Sequence, residues 1–471
     1  MLAASFKRTK IVATIGPSSM SPEVMEQVVV AGANGLRLNF SHGTHEQHGG
    51  VIKLARMISA KHNKPLAIIA DLQGPKIRVG KLPDDGLPFV RGNTVRFQFG
   101  GDFAKDAIIP VQHDVSKYLK VGERVFLRDG MIEVEVERLD GTLITGKVLA
   151  PGLLFSNQGM NLPDTDLGGD ILTPKDVRDI EFAVKNDADY IALSFVQTAS
   201  DITSLKERLA KLGGSVKVIA KIETKAAVDN LDEIVAAADG LMVARGDLAI
   251  ETKPEAVPAV QRRMIELGKQ HRKPVIVATQ MLESMIASQS PTRAEVSDVA
   301  TAVLEGSDAV MLSGETASGL FPVEVVQMMK RVIVYTEREE SSKLVDRRGE
   351  YAEPARDNAI SAAAVVLARQ LPAKVLIAET ASGQTALNIS SLRPNVPIVM
   401  VTDNVRTYQQ LAIVWGGKSY FSEDAADATA RVIERLKAAG NVAAGDALVV
   451  ASGNQPGVTG GTDTVSVRVV Q

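Results

Sequence analysis

Cysteine is absent from the sequence, which excludes disulfides, thiol catalysis and cysteine-ligated metals. An excess of either charge is lacking too: 53 Lys and Arg against 56 Asp and Glu leave a formal charge of −3. Long-range attraction to nucleic acid or to an anionic membrane is therefore not expected, and any anionic ligand must be held by local arginines and lysines. No apolar run is long enough to span a bilayer. The start, M-L-A-A-S-F-K-R-T-K, has no sustained apolar run ahead of its basic cluster, so a signal peptide is not expected. Low-complexity sequence is absent as well. These absences leave a soluble globular protein as the expectation, cytoplasmic, with no nucleic-acid or membrane partner. At 471 residues it has room for about two to four domains.

What is present is an alternation of short apolar runs and amphipathic stretches, the pattern of parallel strands covered by helices. Eight such runs occur at 10–16, 35–40, 66–72, 190–195, 217–223, 240–247, 274–280 and 309–315. Most of them close in polar or charged residues. Eight strands with chemistry at their C-terminal ends predict an α/β fold, a (β/α)8 TIM barrel whose active site lies on that rim. Residues 1–72 and 162–340 make up a barrel of the usual size, roughly 250 residues. Residues 73–161 change to strict alternation, as in V-R-F-Q-F at 95–99 and I-E-V-E-V at 132–136, with turn pairs Asp129-Gly130 and Asp140-Gly141. This segment is expected to be a small antiparallel β domain inserted at the rim, where it can act as a lid. The polar stretch S-S-K-L-V-D-R-R-G-E at 341–350 reads as a linker. Beyond it, apolar runs at 374–378, 397–401 and 447–451 predict a C-terminal open-sheet α/β domain over 341–471.

The stretch 221–251 concentrates the chemistry. Lys221 and Glu223 are two apart on one strand and share a face, and Asp247 ends the next apolar run. On adjacent parallel strands the two carboxylates can converge on one hard cation such as Mg²⁺, leaving positions open for substrate oxygens. Solvated strand-end charges or structural ion pairs are the plainer alternative. Arg245-Gly246-Asp247 can open a helical turn whose free amides hold a carboxylate or phosphate. Arg37 and Arg78 suit phosphoryl oxygens, or else pair with Asp71 or another rim carboxylate. His42 and His45 have the wrong spacing for zinc and are read as loop residues that could stack on a base. Thr279 and Ser313 are rim hydroxyls that serve either as proton carriers or as ordinary turn hydroxyls, and Glu315 could polarise Ser313 or a water. In the third domain T-A-S-G-Q-T at 380–385 joins a strand to a helix start, a setting for phosphate or simply for an N-cap. The glycine-rich stretch 453–461 could approach it.

Several motifs, in order, resemble the pyruvate kinase family across nearly the whole chain. They are T-K-I-V-A-T-I-G-P from Thr9, R-L-N-F-S-H-G from Arg37, K-I-E from Lys221, M-V-A-R-G-D-L from Met242, A-T-Q-M-L-E-S-M from Ala278, P-T-R-A-E from Pro291 and M-L-S-G-E-T-A from Met311. The resemblance implies transfer of the phosphoryl group of phosphoenolpyruvate to ADP, giving ATP and, after protonation of the enolate, pyruvate. It implies Mg²⁺ or Mn²⁺ on Glu223 and Asp247, with Lys221 neutralising the phosphoryl group in flight and the enolate oxygen. Arg37 would contact the phosphoryl group; Arg78, His42, Asn39 and Asp129 would lie along the nucleotide. Backbone at Gly246 and Asp247, with Thr279, would bind the substrate carboxylate. Proton delivery would involve Thr279, Ser313, Glu315 or water. The family also implies a homotetramer, and an effector site at Thr380, Ser382, Gly383 and Thr385.

Three departures from the family pattern matter. Potassium-dependent members carry a glutamate where D-L-Q-G-P-K ends in Lys76. Asn39, Ser41, Asp71 and the Leu72 carbonyl would complete the monovalent-cation cage, but a lysine there supplies the charge itself, so K⁺ is expected not to be required. Gln158 replaces a lysine common before the Gly-x-Asn-Leu-Pro run. Ala381, Gln384 and Gln455 replace basic residues of the fructose-bisphosphate-regulated enzymes, so the expected effector is a sugar monophosphate, a nucleotide or none. Two other classes compete on the residues alone: a metal-dependent enolate-forming lyase or aldolase, which has less use for the lid and Lys221, and a non-catalytic metabolite sensor.

Overall fold

The computed structural model describes residues 6–165, 171–339, 355–423, 427–453 and 461–471. The expected linker at 341–350 and Gln455 lie outside the described residues. Eight parallel strands close into a barrel: Lys10–Thr14, Gly35–Asn39, Ala67–Asp71, Tyr190–Leu193, Lys217–Ile222, Gly240–Ala244, Val275–Ala278 and Ala309–Leu312, each paired with its neighbours in sequence and the first with the last. Most of the strands are buried on both faces, because helices cover the outside and side chains fill the inside. Val12, Ile69, Tyr190, Ile219, Met242, Ile276 and Met311 make up much of that inner packing.

The strands are one to three residues shorter than the apolar runs that predicted them. The residues at their ends have left the ladder: Phe195, Thr279 and Gln280 have φ of 57°, 69° and 53°. Asp247 does not close a strand; it lies in the first turn of a helix, Arg245–Glu251.

Between the third and fourth barrel strands the chain builds a six-stranded sheet and a two-stranded ribbon around their own core of Val79, Phe97, Leu127, Val134, Val148 and Leu154. Strict alternation produces this, since one face of each strand is buried. The long hairpin Ile132–Asp140 with Leu143–Ala150 turns at Gly141, whose φ is 60°. One pairing departs from the antiparallel expectation: Thr94–Phe99 runs parallel to Ile109–Val111.

The C-terminal sheet has the order Gly417–Phe421, Ile398–Thr402, Val375–Glu379, Ala447–Ser452, Thr464–Val469; the last strand alone is antiparallel. The first and last are edge strands without a clear apolar run, and the sequence did not signal them. This domain closes the barrel floor. Ala412 and Ile413 belong to the barrel's inner packing, and the Tyr190 hydroxyl donates to the Gln410 carbonyl at 2.9 Å. Beside them the buried Arg393 guanidinium donates to Asp308 Oδ2 at 2.9 Å. Ile413→Ala should leave a cavity in the floor and cost about 2–5 kcal/mol. A denaturation midpoint that does not move would show that this side chain does not seal the barrel.

Candidate active site

Lys221 stands at the C-terminal end of the fifth barrel strand, opposite Met242 of the sixth. Its ammonium donates to Ser194 Oγ at 2.6 Å and lies 3.2 Å from Asp71 Oδ1 and 3.3 Å from Glu223 Oε2. Ser194 is fixed in turn, donating to the Leu72 carbonyl at 2.7 Å. The other Asp71 oxygen accepts from Arg37 Nε at 2.6 Å, and Arg37 Nη1 donates to Thr14 Oγ1 at 3.2 Å. Asp71 and Glu223 are each 1% exposed, so these charges interact through little water.

The charges tune one another. Burial works against the Lys221 ammonium, but Asp71 and Glu223 outweigh it and hold its pKa above the ordinary lysine range. Burial also opposes ionisation of Asp71, yet Lys221 and Arg37 keep that carboxyl below its usual value. For Glu223 burial wins, with Asp247 adding to it against Lys221, and the pKa is raised. A carboxylate short of positive charge is what a cation would relieve. Glu223 Oε2 and Asp71 Oδ1 are buried with no hydrogen-bond donor besides the Lys221 ammonium, at 3.3 and 3.2 Å, while Glu223 Oε1 accepts from the Phe195 amide at 2.8 Å. The left-handed φ of Phe195, uncommon for a bulky residue, goes with that bond.

Asp247 faces the same rim from its helix, and its Oδ1 accepts from Lys76 Nζ at 3.0 Å. The expected cation cage is divided differently from the sequence reading. The cations that meet Asp71 are Lys221 and Arg37, whereas Lys76 meets Asp247. Asn39 Oδ1 accepts from the Ser41 amide at 3.1 Å. Among the described residues no group of three His, Cys, Asp or Glu converges as a metal cluster. Glu223 and Asp247, with a buried Glu223 oxygen met by the Lys221 ammonium at 3.3 Å, are a donor set that fits a hard cation taking its remaining oxygens from substrate and water.

The Gly246 amide donates to Thr279 Oγ1 at 3.0 Å, and that hydroxyl donates to the Ala278 carbonyl at 2.7 Å. Arg245 braces this corner by donating to the carbonyls of Ala278 and Thr279 and to Asp298. A side chain at Gly246 would meet Thr279 only at 3.9 Å, so the glycine leaves open approach to the helix start.

Other sequence candidates are placed less simply. Glu315 is fully buried and does not reach the Ser313 hydroxyl; its two oxygens accept from the backbone amides of Ser313 and Leu282, at 2.6 and 3.2 Å. The expectation that it could polarise the Ser313 hydroxyl is not met in this arrangement; it fixes the loop that carries Ser313. His45 opens a helix, pairs with Asp179 at 2.7 Å and stacks on Phe182, so its ring is already engaged; His42 is exposed. Arg78 donates to the Asn157 carbonyl at the edge of the inserted domain, and Asp129 sits exposed in a turn of that domain at φ 53°. Gln158 uses its side chain to accept from the Phe155 amide.

In the third domain the Gly383 amide donates to Thr380 Oγ1 at 2.9 Å, and Gly383, at φ 92°, precedes the helix Gln384–Ser391. Thr385 Oγ1 and Thr462 Oγ1 are 2.6 Å apart, which brings the residue that follows the glycine-rich stretch to this loop.

Two residues near the site escaped the sequence reading. Asn161 Nδ2, on the strand returning from the lid, donates to Glu251 Oε1 at 3.2 Å, and burial pushes the Glu251 carboxyl up to about 7. Glu251 lies four residues after Asp247 on one helix, a spacing that could have flagged it; Asn161 is the asparagine of the Gly-x-Asn-Leu-Pro run, which could have flagged it too.

Comparison with known proteins agrees along the chain. Residues 6–326 match the family model for the pyruvate kinase barrel domain, and residues 358–468 match that for the pyruvate kinase alpha/beta domain. Pyruvate kinase 2 of Synechocystis is 40% identical, with 99% of this chain and 80% of the relative covered. Pyruvate kinase of Agrobacterium vitis is 41% identical over 90% of this chain and 89% of its own length, and that of Staphylococcus aureus strain MRSA252 is 39% identical over 98% and 80%.

Proposed function

The chain belongs to the pyruvate kinase family, and from that premise we propose that it transfers the phosphoryl group of phosphoenolpyruvate to ADP through the Lys221 centre. The observation that carries this reading is the Lys221 ammonium held within 3.3 Å of two buried carboxylates at the barrel rim. Neither a lyase or aldolase nor a non-catalytic sensor is favoured by the relatives.

In the reaction the bond between phosphorus and the enol oxygen breaks, a β-phosphate oxygen of ADP takes the phosphoryl group, and the enolate left behind takes a proton to become pyruvate. Lys221 faces the phosphoryl group as it passes and the enolate oxygen that is left, a fixed positive charge where negative charge develops. Arg37, anchored by Asp71 and Thr14, presents its fork to the phosphoryl oxygens. The amides at Gly246 and Asp247, with Thr279, take the substrate carboxylate. Arg78, His42, Asn39 and Asp129 lie along the nucleotide, and the inserted domain closes over it to exclude water. Thr279, Ser313 or a water delivers the proton, with Glu315 fixing the Ser313 loop. Glu223 and Asp247 would hold Mg²⁺ or Mn²⁺, which supplies electrostatic neutralisation of the phosphates.

K⁺ is not required, because Lys76 brings its own charge beside Asp247. Thr380, Ser382, Gly383 and Thr385 receive a sugar monophosphate, a nucleotide or no effector at all, since Ala381 and Gln384 add no basic group to the loop for a second phosphate. Fructose 1,6-bisphosphate should therefore change the rate little, and a steep activation curve with it would refute this assignment. The enzyme works in the cytoplasm as a homotetramer. Exposed Val467 and Val469 on the edge strand Thr464–Val469 are consistent with a covered surface there.

The test is stoichiometry. With Mg²⁺ present, ATP and pyruvate should form in equal amounts from phosphoenolpyruvate and ADP, stop on chelation with EDTA and resume when Mg²⁺ is returned. Consumption of phosphoenolpyruvate without ATP would overturn the proposal.

A further inference from the structure

The inserted domain joins the barrel through two crossings, an outgoing one at 72–79 and a returning one at 159–165, and these crossings are tied together. The Met160 amide donates to the Ile77 carbonyl at 3.0 Å, Arg78 bridges to Gly159, and a side chain at Gly159 would come within 3.2 Å of Lys76 Cε. Each crossing also reaches the same short helix, Arg245–Glu251. Lys76, outgoing, holds Asp247 Oδ1 at 3.0 Å; Asn161, returning, holds Glu251 Oε1 at 3.2 Å. Asp247 and Glu251 are four residues apart and so occupy one face of that helix, one at each end. The Asp129-Gly130 turn of the inserted domain touches it a third time, where a Cβ on Gly130 would lie 3.2 Å from Ile250 Cγ1.

We propose that Glu251 is a positioning residue through which the inserted domain sets the helix that carries Gly246 and Asp247. Asn161 is only 5% exposed and its Oδ1 has no hydrogen-bond partner, so the bond from its Nδ2 to Glu251 is the attachment that its amide makes. Beside the pair a cavity of about 430 Å³, lined among others by Leu162, Thr198, Lys225 and Asn230, leaves the returning crossing room to shift. Lys76 alone would let the helix pivot about Asp247; a second attachment at the far end fixes its direction. Closure of the inserted domain is thereby transmitted to the groups that meet the substrate carboxylate and the cation. This inference rests on the catalytic reading of Gly246 and Asp247, and its test has an arm that does not.

The experiment compares Glu251→Ala, Asn161→Ala, the double variant and the isosteric Glu251→Gln. Each alanine should lower kcat about tenfold while KM for phosphoenolpyruvate moves less than threefold. The double should be no worse than either single, since contacting residues that act as one unit are not additive. Glu251→Gln keeps the acceptor for Asn161 and should restore kcat to within twofold. In ligand-free protein, hydrogen exchange at Met160, Asn161, Ile77 and Val79 should quicken in the alanine variants and not in Glu251→Gln. A hundredfold loss in the double, a glutamine variant as poor as alanine, or unchanged exchange would each overturn the proposal. If the unaltered protein fails to turn over phosphoenolpyruvate and ADP, the functional reading falls while the exchange result still decides whether the attachment exists.

Discussion

Lys221→Met should lower kcat by roughly 10³ to 10⁵, the range seen when a transition-state cation is removed from phosphoryl transfer. Methionine matches the lysine chain as far as Cε and lacks the ammonium, so the effect is mainly that of the charge. The structure gives that charge three fixed partners, Ser194 Oγ, Asp71 Oδ1 and Glu223 Oε2. A group held this firmly needs little reorganisation when negative charge appears in front of it. The substitution also has a folding consequence. Asp71 retains Arg37, but Glu223, already shifted up by burial, loses its nearest cation. Breaking a buried ion pair costs about 3–5 kcal/mol. A thermal melt of the variant must therefore accompany the kinetics, and a folded variant that loses less than tenfold would exclude the proposed role.

The second large effect concerns Lys76. Lys76→Glu should lower kcat in K⁺-free buffer by about 10², the scale for losing one oriented electrostatic group at an active site. Potassium chloride, added at fixed ionic strength, should then restore most of the rate. The reasoning is local. The ammonium lies 3.0 Å from Asp247, a carboxylate that on the proposed reading shares a cation with Glu223, and a glutamate there changes the local charge by two units. On the proposed reading Asn39, Ser41, Asp71 and the Leu72 carbonyl are the groups that would receive the monovalent ion. A variant that keeps its K⁺-free rate would show Lys76 to be a lid-anchoring residue alone.

The barrel was legible because strands buried on both faces write continuous apolar runs, as 10–14 and 240–244 do. The inserted domain was legible because one-sided burial writes alternation. Boundaries were less so: polar residues follow the apolar runs without a break, and only backbone geometry, such as φ of 69° at Thr279, marks where the ladder stops. Lys221, Glu223 and Asp247 could be brought together from strand order alone, whereas Asp71 reads there only as a possible arginine partner and cage residue, and its ion pair with Lys221 does not show. Glu315 could not be placed that way, since its use of backbone amides rather than the Ser313 hydroxyl depends on a turn two residues long. Asn161 and Glu251 are 90 positions apart and join two domains, and periodicity within either segment carries no trace of such a contact. Ile413 belongs to the same class. It lies in the apolar run L-A-I-V-W and seals a barrel whose first strand is some 400 residues earlier in the chain.

The most direct measurement is the initial rate of ATP formation from phosphoenolpyruvate and ADP with Mg²⁺, at fixed ionic strength, with and without K⁺. Full turnover in K⁺-free buffer, changing by less than about twofold when KCl is added, is the result expected of a centre in which Lys221 meets the phosphoryl group and Lys76 supplies the monovalent charge. Absence of ATP under either condition would contradict phosphoryl transfer at this site, and a rate that appears only with K⁺ would contradict the role given to Lys76.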